Sequence, residues 1–175
     1  MAPGLLLCVL LLAACEERHG NSTANPALCL ADTTPIEDVQ GEDWRSPLEG
    51  SRQAVAGVVT AVVQEQGFYI EQSGPGSDSR SQGLFVEAPA LARQARTGQR
   101  WALEGTVAER GERRDTTTTL TDPVLHAICE EDLPLPLTEA SLPLTGPERE
   151  ALESMRLRFN ADLAVTDVYR SDRGE

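Results

Sequence analysis

The sequence predicts an all-β fold, and three observations support this prediction. Short apolar segments with a period of two recur through the middle of the 175-residue chain, as in strands with one buried face. Turn-forming residues separate the segments, most densely in SGPGSDSRSQ at residues 73–82. Glycines also stand inside two of the segments, Gly57 and Gly105, where a strand bulges or coils sharply.

Five strands are predicted in order. The first is β-branched and has no helix-period stripe, and each later one is set off by turn residues or by a short connection. Five strands in under a hundred residues, with glycines that bend the longer ones, favour a small closed barrel over a flat sheet. We therefore predict a five-stranded OB-like barrel, with a β-sandwich as the alternative. The predicted strands are residues 52–64, 68–72, 83–86, 101–107 and 116–128.

The N-terminus has the pattern of an export signal. Residues 1–14 contain an apolar run too short to span a bilayer, and it ends in Leu-Ala-Ala before Cys15. This ending resembles a bacterial lipobox, in which the cysteine is lipidated. We predict a lipoprotein signal peptide over residues 1–14, lipid on Cys15 and a tether over residues 15–35, with the protein anchored at the periplasmic face or the cell surface. Ordinary signal-peptidase cleavage, which gives a secreted protein, is the alternative.

Two cysteines remain after the signal and the lipobox. In an oxidising compartment, Cys29 and Cys129 are predicted to form a disulfide that closes a loop of about a hundred residues. A zinc site is the alternative, but it needs two more ligands. His19 lies in the predicted tether and His126 only three residues before Cys129, so no metal site is predicted.

The domain organisation follows from these elements. The barrel is predicted over residues 36–132, followed by a proline-rich linker over residues 133–145. Thr145 is predicted to cap a short helix. Residues 146–175 then contain this helix and strands that open an incomplete second β module.

The charge excludes one class of protein. The chain has 28 acidic residues against 15 basic ones, all of them arginine, for a net charge of -13. A protein that coats nucleic acid through bulk charge needs a positive surface instead. The two histidines leave little room for a histidine-based triad.

Nine short segments follow one another along the chain in an order that resembles one protein family. The segments are IEDVQG (36–41), SPLEG (46–50), GVVTAV (57–62), GFYIEQ (67–72), SQGLFV (81–86), LEGTVAE (103–109), TL (119–120), ESMRL (153–157) and VTDVY (165–169). The series is similar to the N-terminal region of large bacterial extracellular nucleases, whose catalytic domain is of the endonuclease/exonuclease/phosphatase type. The resemblance covers residues 29–175 and implies an OB-like accessory domain that holds nucleic acid for the catalytic domain.

The resemblance does not extend to catalysis. The family's catalytic domain uses a Glu and an Asp-Asn pair for a divalent metal, together with a Ser-Asp-His ending, and this chain has no Ser-Asp-His. Phosphodiester hydrolysis by a metal needs clustered carboxylates and a general base. We therefore predict that this chain alone is not an enzyme and binds no cofactor; a divalent metal is expected only in the absent catalytic domain.

Five residues are candidates for binding nucleic acid. Tyr69 and Phe85 are predicted to stack on bases, and Arg110, Arg113 and Arg114 to contact phosphates from the connection between the fourth and fifth predicted strands. Six arginines against three glutamates make residues 93–114 a basic island on an acidic body. The alternatives are rings that serve core or rim packing and a solvated hairpin tip.

Two functions are therefore predicted. The first is a non-catalytic OB module that binds single-stranded or duplex DNA weakly. The second is a lipid-anchored envelope protein whose barrel binds a protein or a glycan. Neither needs a small-molecule cofactor.

Overall fold

The computed structural model describes Cys29 and residues 32–74, 76–77, 79–112 and 115–164. Most of this chain is β-sheet, with a few short helices, so the all-β prediction is confirmed. In chain order the elements are α1 (Ile36–Gln40), β1 (Arg52–Val63), β2 (Gly67–Glu71), β3 (Gly83–Glu87), α2 (Pro89–Ala92), β4 (Arg100–Glu112), β5 (Asp115–Glu130), β6 (Thr138–Ala140), α3 (Gly146–Glu150) and β7 (Leu157–Phe159).

Strands β1 to β5 form one mixed sheet that closes on itself. The order is β1-β2-β3-β5-β4, and β4 pairs back with β1. Every neighbouring pair is antiparallel except β3 with β5, which is parallel. All five predicted strands are present. The β4–β5 hairpin is longer than predicted and reaches Glu112 and Asp115.

The core fills the inside of this ring. On β2, Phe68 and Ile70 are fully buried, and Leu84 and Val86 are their counterparts on β3. The ring of Phe68 meets that of Trp101 edge to face, with centroids 5.0 Å apart. Each such side chain contributes roughly 1.5–3 kcal/mol to stability through burial. Because successive residues of a strand point to opposite faces, the residues between them must face outward.

The two interior glycines serve different purposes. Gly105 lies where the β4–β5 register shifts, so it occupies a bulge as predicted. At Gly57 the register with β4 is regular, and the shift in β1 lies further on, between Val59 and Ala61. A Cβ at Gly57 would stand 2.9 Å from the carbonyl oxygen of Glu71. Close approach of two strands therefore explains Gly57 better than a bulge.

The C-terminal elements lie against the barrel. Strand β6 falls within the stretch predicted as a linker and pairs in parallel with β7. Thr145 caps α3 with a capping box, as its sequence predicts. Between α3 and β7, the backbone N–H of Arg156 donates to the Glu71 carboxylate over 2.7 Å. The residues between these elements are therefore bonded directly to β2.

The predicted disulfide is present. Cys29 and Cys129 are bonded, with their Cα atoms 5.7 Å apart and 100 positions between them in sequence. Closing a loop of this length contributes roughly 4–5 kcal/mol in the chain-entropy treatment. Such a bond indicates an oxidising, exported environment.

The N-terminal predictions lie outside the described residues. They are the signal peptide over residues 1–14, the lipid on Cys15 and most of the tether. Within the described part of the chain, none of the helices has the length and apolar character needed to cross a membrane.

Candidate functional site

An aromatic pair lies on the outside of the barrel. Tyr69 on β2 and Phe85 on β3 are direct cross-strand partners, with ring centroids 4.9 Å apart and planes tilted by 51°. Both side chains are half-buried, because their neighbours along each strand fill the core. Of the two consecutive aromatics on β2, Tyr69 is thus the outward one, as predicted. The pair leaves apolar ring surface accessible to a ligand.

The pair lines a pocket of about 270 Å³ between two connections of the barrel. One side is the end of β1 and the turn after it, and the other is the β4–β5 hairpin. Three of the five candidate residues, Tyr69, Phe85 and Arg110, meet here. The remaining lining residues are uncharged: Val63, Gln66, Thr117 and Thr119.

Arg110 is the only charged residue lining this pocket in the described chain, and it has a partner. Its guanidinium contacts the Glu87 carboxylate at 2.7 Å, and both side chains are about half exposed to solvent. An exposed pair of this kind contributes at most about 1 kcal/mol to stability. Its main effect is local, because Glu87 holds the guanidinium and cancels its charge. An anionic ligand must compete with Glu87.

A second pocket of about 340 Å³ adjoins the first. Arg110 lines both pockets, and Glu87 lines the second together with Pro89, Thr121 and Asp122. The two pockets thus follow one another along the outer surface, with the ion pair between them. This arrangement suits an extended ligand more than a compact one.

The phenol of Tyr69 is neutral at physiological pH. Burial raises its pKa above the ordinary value, and the charge of Glu153 raises it further. The hydroxyl therefore remains a hydrogen-bond donor. With the hydroxyls of Thr117 and Thr119 and the amide of Gln66, the pocket offers neutral donors and acceptors around the rings.

The predicted basic island is not one patch among the described residues. Arg100 pairs with Glu130 at the start of β4, on the order of 30 Å along the strand from Arg110. Arg93 and Arg96 are exposed on the segment after α2. Arg113 and Arg114 lie outside the described residues, so their predicted phosphate contacts remain a prediction.

A group of carboxyls that the sequence did not single out lies near this site. The charge of Glu109 is close enough to raise the pKa of both Glu150 and Glu153. Burial raises the pKa of Glu153 to about 7, and the charges of Glu150 and Glu109 add to the effect. Among the described residues, no group of three or more histidine, cysteine, aspartate or glutamate side chains has the geometry to hold a metal ion. The group is therefore not assigned as a metal site.

No protein-family model matches this chain, and no curated protein matches it. The resemblance to the N-terminal region of extracellular nucleases therefore remains a prediction carried by the ordered segments.

Proposed function

We propose that the chain is a non-catalytic, OB-type module of an exported, lipid-anchored protein of the extracellular-nuclease type, and that its aromatic face holds single-stranded nucleic acid. OB barrels have five strands and bind oligonucleotides or oligosaccharides on the face of strands 2 and 3, between the β1–β2 and β4–β5 connections. The strand order β1-β2-β3-β5-β4 supports this assignment. The observation that carries it is the Tyr69–Phe85 pair in a pocket between those two connections.

Stacking supplies the binding energy in this proposal. A base laid on an exposed ring contributes about 1–3 kcal/mol with little dependence on sequence. The Thr117 hydroxyl and the Gln66 amide offer hydrogen bonds to the base edges. Arg110 contacts a phosphate once it turns from Glu87. Binding is weak, because the chain carries a net charge of -13.

Anchoring is the second part of the proposal. The disulfide supports export, and the Leu-Ala-Ala-Cys ending supports lipid on Cys15. Acyl chains there hold the module at a membrane surface, and residues 15–35 serve as the tether. Metabolic labelling with palmitate is expected to mark the protein and to fail in Cys15→Ser. Equal labelling of that variant would exclude the lipoprotein assignment.

A neutral glycan is the second candidate ligand. The observation in its favour is the Arg110–Glu87 pair, which leaves the pocket without net positive charge from its described residues. Sugar rings pack on aromatic side chains without needing phosphate contacts. The glycan alternative therefore predicts binding that is independent of salt.

The experiment is fluorescence anisotropy of a labelled oligothymidine at low salt, with matched arginine variants. Arg110→Gln is expected to weaken binding. Arg100→Gln is the control, because Arg100 lies on the same strand and also pairs with a glutamate, but far from the pocket. Equal losses in the two variants would point to general charge rather than this face. No binding at low salt would overturn the nucleic-acid proposal and favour the glycan.

The proposal assigns no catalysis to this chain. The purified protein is expected to leave DNA intact in the presence of magnesium, manganese or calcium. Turnover of DNA by the pure chain would contradict it.

A further inference from the structure

The seam between β3 and β5 is closed partly by side chains. The two strands pair at two positions, Phe85 with Thr119 and Val86 with Leu120. Next to these pairs, the backbone N–H of Thr118 donates to Oε1 of Glu153 over 2.9 Å. The Gln40 side-chain amide donates to the carbonyl oxygen of Gly83 and, over 3.4 Å, to the same Glu153 oxygen. The Glu153 carboxyl and the Gln40 amide thus stand in for strand pairing.

Glu153 belongs to a C-terminal strap, residues 153–156, that is held on the barrel at several points. Ser81 donates its hydroxyl to the carbonyl oxygen of Glu153 over 2.5 Å, and the backbone N–H of Arg156 donates to the buried Glu71 carboxylate. The strap also lies so close to Gly83 that a Cβ there would collide with the backbone of Ser154. The buried Glu71 carboxylate, the Ser81 hydroxyl and the close approach to Gly83 therefore hold the strap on the barrel.

The surroundings of Glu153 carry mostly negative charge. Oε1 of Glu109 accepts hydrogen bonds from the Ser46 N–H and the Thr118 hydroxyl, whereas its Oε2 is buried with no hydrogen-bond partner among the described residues. A pocket of about 560 Å³ borders the seam, and Arg149 is the one cation among its described lining residues. Within the described part of the chain, the titratable groups that face Glu153 are Glu109 from β4, Asp115 from β5, Arg149 and Glu150 from α3, and Tyr69 from β2; Gln40 from α1 is neutral.

We propose that the strap is a proton-operated latch, seated on the barrel while the Glu153 carboxyl is neutral and loosened from the seam when that carboxyl ionises. Burial alone disfavours the ionised form, and the nearby glutamates repel it. The Thr118 N–H and the Gln40 amide favour the ionised carboxylate as an acceptor, but burial and repulsion outweigh them. The ionised carboxylate is therefore more stable in water than at the seam, which favours release of the strap.

The direction of the pH dependence follows from the raised pKa. The pKa of Glu153 is about 7 in the folded protein and 4.5 without the fold. A group of this kind stabilises the folded strap fully below the unfolded value, and the stabilisation is lost as the pH rises through about 7. Burial raises the pKa of Glu71 as well, so its contribution has the same sign. The strap is thus tightest in mild acid and loosest above neutral pH.

Amide hydrogen exchange on the purified full chain without nucleic acid tests the latch. The protection factors of the Thr118 and Arg156 amides, corrected for intrinsic exchange, are expected to fall about tenfold between pH 6 and pH 8. Glu153→Gln keeps an acceptor oxygen but cannot ionise. In this variant, most of the fall in the protection factors of the Thr118 and Arg156 amides is expected to disappear. Glu139→Gln is the control, because Glu139 is exposed and pairs with Arg158 instead.

Either of two results would overturn the latch. One is wild-type protection that does not change between pH 6 and pH 8, a result that needs no variant to fold. The other is a fall in Glu153→Gln as large as that in the wild type. Because no ligand is present, failure of the latch is distinguishable from failure of the binding face.

Discussion

The aromatic face and the β3–β5 seam lie on neighbouring parts of one barrel but differ in how far their charged groups are exposed to solvent. The face exposes apolar rings and a charged pair, Arg110 with Glu87, to solvent. The seam places two half-buried carboxyls, those of Glu153 and Glu109, beside backbone groups, and Oε2 of Glu109 is buried. Salt weakens the interactions of exposed charges, which contribute little to the stability of the fold. A carboxyl removed from water instead changes its protonation with pH, and that change alters the stability of the fold. The face is therefore suited to reversible binding, and the seam to holding or releasing a segment.

The largest expected effect is on the seam. Gly83→Ala places a Cβ against the backbone of Ser154, which cannot rotate away as a side chain does. We expect the free energy of unfolding to fall by about 3 kcal/mol, the upper part of the range for overpacking. Gly76→Ala is the control, since the atoms nearest to its Cβ belong to the flexible side chain of Gln82. If thermal melts showed an equal loss of stability in Gly83→Ala and Gly76→Ala, that result would contradict the close packing of the strap on Gly83.

The next effect is on the face. Tyr69→Leu removes the stacking surface but keeps apolar volume beside Phe85, so oligothymidine binding is expected to weaken by about 1–2 kcal/mol. The melting temperature should change little, because the ring is half-buried outside the core. A fluorescence anisotropy titration and a thermal melt of the same sample separate the two effects. Unchanged affinity would show that the ring is not a stacking surface.

Salt distinguishes the two regions further. Raising the salt concentration from 50 to 200 mM should lower oligothymidine affinity roughly 2.5-fold for each phosphate contact. Protection of the Thr118 amide should change far less, because it depends on one short, partly buried hydrogen bond to Glu153. Equal sensitivity of both quantities to salt would remove the contrast between face and seam.

The smallest effect concerns Glu87. Glu87→Gln removes the carboxylate that holds Arg110, and we expect oligothymidine affinity to rise about two- to threefold, since an exposed pair is worth under about 1 kcal/mol. The affinity for a neutral glycan is not expected to rise in the same variant, because a glycan needs no contact between a phosphate and Arg110. A loss of oligothymidine affinity in this variant would mean that Glu87 helps the ligand and that Arg110 does not bind phosphate.

The sequence predicts the two regions unequally. The face is predictable, because period two along β2 separates Phe68 from Tyr69 and period two along β3 exposes Phe85. The pairing of Arg110 with Glu87 is not, because a count of charges along residues 93–114 omits partners from other strands. The seam has no sequence signal at all. Gln40, Gly83, Thr118 and Glu153 are far apart in the chain and meet only once the barrel has closed.

Backbone NMR shows whether ligand binds on the outer face of β2 and β3. Titrating oligothymidine into the ¹⁵N-labelled protein at low salt is expected to shift the amide signals of Tyr69, Phe85, Thr117 and Thr119 first. The signals of β6 and β7, none of whose residues lines the aromatic pocket, should remain in place. Shifts confined to β6 and β7, or none at any concentration of oligothymidine, would contradict binding on this face.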